Sequence, residues 1–244
     1  MTKSTYRLCC IIPCYNNSST IRTVAGRVRQ KIDDIIIVND GSNEETTAEI
    51  IALEKEGFRA VHRSQNGGKG AAVKSGFQAA QDAGFTHALQ IDADGQHDLD
   101  LIPTFMEISK KAPDSLLLGH PLFDDSAPKL RLWARKITIF WTHVETLGFA
   151  ITDPMCGFRI YPVDAAIEAA AKGNYMEFDI EIAVKIVRLG VPVINVPVPV
   201  RYLTEEEGGI SHFRMWEDNF AITRTHVKLV LSAIPWALKS SKKR

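Results

Sequence analysis

The chain has no apolar run long enough to cross a bilayer, no net charge and few cysteines, and each shortage removes a class of protein. Its amino terminus is polar through Arg7, and the first apolar stretch, Leu8-Cys9-Cys10-Ile11-Ile12, is too short for a secretory core or a membrane span. A cytoplasmic location is therefore expected. Across 244 residues, 29 Lys and Arg balance 29 Asp and Glu, so no global field draws the chain to nucleic acid, and no nucleic-acid partner is expected. The four cysteines, Cys9, Cys10, Cys14 and Cys156, follow no framework or metal-site spacing and read as core thiols. Internal repeats and low-complexity tracts are also missing, which leaves a globular chain with one substantial core.

What is present is an alternation of short apolar runs and helical patterns. Strands are expected at 8–12, 35–38, 58–62 and 87–91, with helices between them at 21–31, 44–57 and 71–83. The last of these helices carries small residues at helical intervals and should pack closely on a sheet. This order predicts an α/β fold, a Rossmann-like and mostly parallel sheet flanked by helices, joined by right-handed crossovers. Further on, a helix at 101–111, a strand at 115–119, a projecting loop at 121–129 and a long helix at 130–147 are expected. Helices at 163–172 and 179–189 follow, and then a strand at 192–200 whose Pro192, Pro197 and Pro199 favour a sheet edge. Residues 205–214 form a charged, glycine-containing segment. The helical tail beyond it, 220–238, is too apolar for full exposure, so it packs on the domain or rests on a bilayer or partner.

The most informative residues are Asp92 and Asp94, alternate carboxylates directly after the apolar run Leu89-Gln90-Ile91. A carboxylate pair at the carboxyl end of a buried strand can hold a divalent cation against a diphosphate. Asp40 ends a second strand just before Gly41, where it can accept hydrogen bonds from a nucleobase or ribose. Lys69 sits in the glycine-rich loop Asn66-Gly67-Gly68-Lys69-Gly70 at the head of a helix and can reach a phosphate. That loop lacks both the glycine spacing and the Ser/Thr of a Walker motif, which excludes a kinase or ATPase reading.

Read together, Pro13-Cys14-Tyr15-Asn16, Val38-Asn39-Asp40-Gly41-Ser42, the glycine loop, Asp92-Ala93-Asp94-Gly95-Gln96-His97 and Asp153-Pro154-Met155-Cys156-Gly157-Phe158-Arg159 stand in a recognisable order. The chain resembles the family 2 inverting glycosyltransferases of GT-A fold, and within them the dolichol-phosphate mannose synthase and polyprenyl-phosphate glycosyltransferase branch. The resemblance implies a GT-A catalytic domain over 1–214 and a C-terminal helical, membrane-associating tail over 215–244. It implies a nucleoside-diphosphate sugar as donor and Mg2+ or Mn2+ as the ion. Asp94 and Gln96 would lie at the metal and diphosphate, with Asp92 near the ribose or in the metal shell, while Pro13 and Tyr15 would line the base pocket beside Asp40.

Acceptor contacts are expected from Pro121 onward. Arg131 and Arg135, four apart on one helix, can present two guanidinium groups to an anion. Arg201 is a candidate for the donor diphosphate or an acceptor phosphate, and Ser211, His212 and Arg214 are candidates to join it. The expected partner is a lipid acceptor, a polyprenyl phosphate, met at the inner face of the membrane by peripheral contact. The alternatives are transfer to a hydroxyl of a glycan or glycolipid, and an inactive nucleotide-sugar binding protein. A hydroxyl acceptor needs a base, for which Asp153 is the first choice and Glu177, Asp179 and Glu181 are the others.

Overall fold

Apolar runs that read as strands do form a sheet, and its centre is the most buried part of the molecule. The computed structural model describes residues 5–123, 127, 129–200 and 214–241. Strands β1 (Leu8–Cys14), β2 (Ile35–Asp40), β3 (Arg59–Arg63) and β4 (His87–Gln90) alternate with helices α1 (Ser18–Arg29), α2 (Glu44–Lys55) and α3 (Lys69–Asp82). Then follow α4 (Ile102–Lys111), β5 (Leu116–Phe123), α5 (Lys129–Thr146), β6 (Arg159–Pro162), α6 (Val163–Glu168), α7 (Phe178–Arg188), β7 (Val193–Val200) and α8 (Met215–Ser241). The seven strands lie in the order β3-β2-β1-β4-β6-β5-β7. Every pairing is parallel except those of β6, which runs antiparallel to both β4 and β5.

Two apolar layers cover the two faces of this sheet. Ile11, Ile36, Val38 and Ala88 point to one side, towards α3 and α7, and Ile12, Ile35, Ile37 and Leu89 to the other, towards α1 and α4. Strands buried on both faces need no polar alternation, which is why they read as continuous apolar runs. The small residues of α3 have the expected effect. A Cβ at Gly76 would overlap the Ile11 side chain, so the helix axis lies close against β1.

Two differences from the sequence reading have identifiable causes. β5 continues through Pro121 to Phe123 because β7 pairs with it along its whole length, so the 121–129 segment begins as strand. β7 is an edge strand, as its prolines indicate. Helix α6 stops at Glu168 rather than at residue 172, with Ala170 in the left-handed region at φ 46°. The turn beyond it is held from α7: Lys185 Nζ donates to the Ala170 carbonyl, and Glu181 Oε2 accepts the backbone N–H groups of Lys172 and Gly173.

Burial opposes ionisation of Glu181, but Lys185 and those two N–H groups outweigh it and lower its pKa. A carboxyl lowered on folding stabilises the fold above its unfolded pKa of about 4.3, and that contribution disappears as pH falls through the lower folded value. Glu181→Gln should therefore cost about 1 kcal/mol at neutral pH and less in acid. Urea unfolding at pH 7 and at pH 3 checks this.

Helix α8 is longer than expected and packs on α5 and α7. Ile222, Leu229 and Ala233 are buried, His226 Nδ1 lies 2.6 Å from Glu145 Oε1, and Trp236 Nε1 donates to the Arg188 carbonyl. Its other face exposes Trp216, Phe220, Leu231 and Ile234. Among the described residues no helix is long and apolar enough to cross a membrane.

Candidate active site

Parallel strands present their carboxyl ends along one edge of the sheet, and the loop leaving β4 there carries the acidic pair. Asp94 Oδ1 accepts the Gln96 backbone N–H at 2.9 Å, a tight turn that Gly95 completes at φ 75°. Asp92, Asp94, Gln96, His97, Arg135, Met155 and Cys156 line one cleft.

The two carboxylates differ in what surrounds them. Lys69 Nζ lies 2.8 Å from Asp92 Oδ1 and 3.0 Å from Oδ2. Burial would raise the pKa of Asp92, but Lys69 outweighs it and lowers the value. No Lys, Arg or His among the described residues forms an ion pair with the Asp94 carboxylate. Its pKa is raised, first by burial and then by the neighbouring Asp92 charge, with His97 and Lys69 opposing the rise from farther away. Asp94 thus lacks the direct cation that Asp92 has in Lys69. Burial also opposes charging of His97, yet Cys156, Asp92 and Asp94 raise its pKa to about 9.

The glycine-rich loop is satisfied from within. Asp40, 2% exposed, accepts the backbone N–H of Gly68 at 2.7 Å, that of Gly67 at 3.1 Å and the Nε of Arg63 at 2.6 Å. Lys69 turns inward to Asp92 and, at 3.0 Å, to Asp179 Oδ2. Pro13 and Tyr15 are half-buried near the β1 end, outside the lining of the cleft described above.

At the same cleft the guanidinium of Arg135 binds both oxygens of Asp153, its Nη2 donating to Oδ1 at 2.8 Å and its Nε to Oδ2. Asp153 Oδ1 also accepts the backbone N–H groups of Met155 and Cys156. The three alternative bases are similarly engaged. Glu177 accepts the N–H groups of Asn174 and Tyr175, Asp179 pairs with Lys69, and Glu181 holds the turn before α7. Arg214 stacks over the Tyr175 ring, 4.5 Å from its centroid, and pairs with Asp218. Arg201, Ser211 and His212 lie outside the described residues, as does the side chain of Arg131.

The residue that sequence reasoning missed is Arg159. It is fully buried, and it donates to the carbonyls of Pro154, Cys156 and Asp179 at 2.6, 2.5 and 2.7 Å. It ties the Asp153 turn to α7. One signal was present, an arginine at the head of an otherwise apolar strand, where a cation needs buried partners.

The family model described as Glycosyl transferase family 2 matches residues 9–168, well over half of the chain, and the chain belongs to that family. It is an enzyme, a nucleotide-sugar-dependent glycosyltransferase. An undecaprenyl-phosphate mannosyltransferase of Micrococcus luteus is 26% identical over 79% of this chain and 82% of its own. A polyprenol monophosphomannose synthase of Mycolicibacterium smegmatis is 26% identical over 86% of this chain and 82% of its own. Among solved structures, glucosyl-3-phosphoglycerate synthase from Mycobacterium tuberculosis in complex with Mn2+ and UDP-glucose superposes with a TM-score of 0.68. It is 17% identical and covers 95% of this chain and 80% of its own, a likeness of fold.

These findings correct the expected lipid partner. The same fold is solved with Mn2+, UDP-glucose and phosphoglyceric acid together, and with glycerol 3-phosphate in place of the acid. The ligand beside the sugar nucleotide in those structures is a small soluble phosphate compound, not a polyprenyl phosphate. A cleft of this architecture therefore needs no lipid chain, and the lipid named in the sequence relatives belongs to those proteins.

Proposed function

We propose that this enzyme transfers a sugar, with inversion, from a nucleoside-diphosphate sugar to a hydroxyl of an acceptor that also carries an anionic group. The observation that carries the reading is that Arg135, which lines the same cleft as Asp94, pairs with the buried Asp153. An anionic group on the acceptor can take the Arg135 guanidinium from Asp153. The released carboxylate is then free to accept the proton of the attacking hydroxyl. The acceptor oxygen forms its bond to the anomeric carbon as the bond to the diphosphate breaks. The diphosphate departs with the electron pair.

The residues present fit a divalent cation. Among the described residues no cluster of three or more His, Cys, Asp or Glu side chains could hold a metal ion alone. A shell drawn largely from phosphate and water suits Mg2+ or Mn2+, and the cleft-lining Asp94 and Gln96 would add a carboxylate and an amide oxygen to it. When bound, the ion stabilises the charge that develops on the departing diphosphate. Four buried free thiols suit a reducing compartment, which supports a cytoplasmic setting.

Product analysis by mass spectrometry tests the reading. UDP- and GDP-sugars are offered against phosphoglycerate, glycerol 3-phosphate and the matching polyols without an anionic group. The expected result is a glycoside of an anionic acceptor, lost in Asp94→Asn, with Arg135→Met raising KM for the acceptor more than for the donor. Products formed solely on an acceptor phosphate oxygen, or nucleotide binding without any transfer, would overturn it.

A further inference from the structure

Helix α8 is apolar on two opposite faces, and the fold uses one of them. Ile222, Leu229 and Ala233 are buried on the side that packs against α5 and α7. The other face carries Phe220, Val227, Leu231 and Ile234, each between 54% and 72% exposed, with Trp216 at 84% beside them. Their spacing is regular. Phe220, Arg224, Val227, Leu231 and Ile234 follow one another at intervals of four, three, four and three residues, which is the period of a coiled-coil seam.

The surroundings of the seam indicate what kind of surface it fits. Asn219, Thr223, Lys228 and Ser232 are exposed around it, and Arg224 interrupts it. A helix that lies on a bilayer turns a broad apolar face to lipid and a charged face to water. α8 has no such charged face, because the side away from the seam is buried on the domain. A narrow stripe edged with polar groups fits the ridges of another helix instead.

The seam is also complementary to itself. Two α8 helices laid antiparallel about a twofold axis set Val227 of each against Leu231 of the other, and Arg224 of each beside Ile234 of the other. The arginine stem then packs while its guanidinium reaches water. In a parallel pair Arg224 would meet Arg224, and the like charges would repel. The extent is sufficient as well, since five large side chains at on the order of 150 Å2 apiece approach the ~800 Å2 that each partner of a standard interface buries.

We propose that this face of α8 is an isologous interface through which the protein pairs, in antiparallel register, with a second copy of itself. No residue of α8 lines the cleft, so the pairing is separate from the proposed transfer reaction.

Sedimentation equilibrium of the full chain, from nanomolar to high-micromolar concentration, reads the association directly, with circular dichroism melts on the same samples. The wild type should dimerise. Leu231→Glu changes a side chain that the subunit leaves mostly in solvent, and should weaken the dimer at least about a hundredfold, because symmetry removes two central contacts at once. The two charged variants at Ile234 test the register. Ile234→Glu meets Arg224 of the other copy and should keep the dimer, whereas Ile234→Lys is repelled by it and should give a monomer.

A wild type that stays monomeric throughout overturns the proposal, and so does a dimer that Leu231→Glu leaves intact. Equal behaviour of the two Ile234 variants overturns the antiparallel register. A monomer that co-sediments with vesicles of phosphatidylglycerol and phosphatidylethanolamine, and loses that binding in Leu231→Glu, would assign the face to a bilayer instead.

Discussion

Asp94→Asn should lower kcat/KM by about a thousandfold, or ~4 kcal/mol of transition-state stabilisation, while leaving the fold intact. The substitution keeps the side-chain shape, and an amide oxygen still accepts the Gln96 N–H that shapes the turn. What it removes is a carboxylate charge at the cleft that has no direct ion-pair partner among the described residues. That charge is unfavourable to the protein alone, since burial and the neighbouring Asp92 both raise the Asp94 pKa. A carboxyl raised on folding costs the folded state stability once pH rises above its unfolded value. At neutral pH in the presence of a chelator, Asp94→Asn should therefore melt above the wild type. Activity and stability thus move in opposite directions, which a merely structural role for Asp94 does not predict. Steady-state kinetics at saturating Mn2+, paired with melting in chelator, reads both.

Arg159→Met should have the largest effect on stability, about 3–5 kcal/mol, the cost of stranding buried partners when one member of an ion pair is removed. The methionine fills much of the volume but donates nothing. Three buried carbonyls, those of Pro154, Cys156 and Asp179, lose their donor, and Asp179 loses one of its two cations, the one 3.8 Å away, keeping Lys69 at 3.0 Å. Because the same guanidinium seats the turn that carries Asp153, the surviving folded protein should also lose activity. Urea unfolding gives the first quantity, and kinetics well below the melting range gives the second. Arg135→Met offers the contrast. Its partner Asp153 is buried but keeps the N–H groups of Met155 and Cys156, so the variant should lose acceptor binding at a smaller cost in stability.

Local patterns carried much of this structure in plain view. The apolar runs at Ile35–Asp40 and His87–Gln90 are strands because both sheet faces are covered, and the glycines and alanines of Lys69–Asp82 are small because that helix lies on the sheet. The Asp92–Asp94 pair falls at a strand end, beside the candidate cleft, as its flanking residues suggest. What sequence could not express was the partner of each charged group. Lys69 reads as a phosphate contact because it heads a glycine-rich loop. Its actual neighbours include Asp179, far along the chain and brought near only when α7 docks. Asp40 reads as a nucleotide contact for a similar reason, and its partners within the fold are the N–H groups of the glycine loop and Arg63.

Strand ends were legible only to the extent that they depended on local residues. Pro121 looks like a loop residue, yet it lies within β5 because the parallel partner β7 extends that far. The antiparallel insertion of β6 between β4 and β5 depends on the path of the intervening chain rather than on any residue of β6. Arg159 shows the reverse case, a polar residue in a strand that is fully buried because it is fully bonded.

Anomalous scattering from crystals grown with Mn2+ and a nucleoside diphosphate tests the central claim most directly. The account predicts a manganese peak bridging the Asp94 carboxylate and the diphosphate. A manganese peak away from Asp94, or a diphosphate bound away from Asp94, would contradict it.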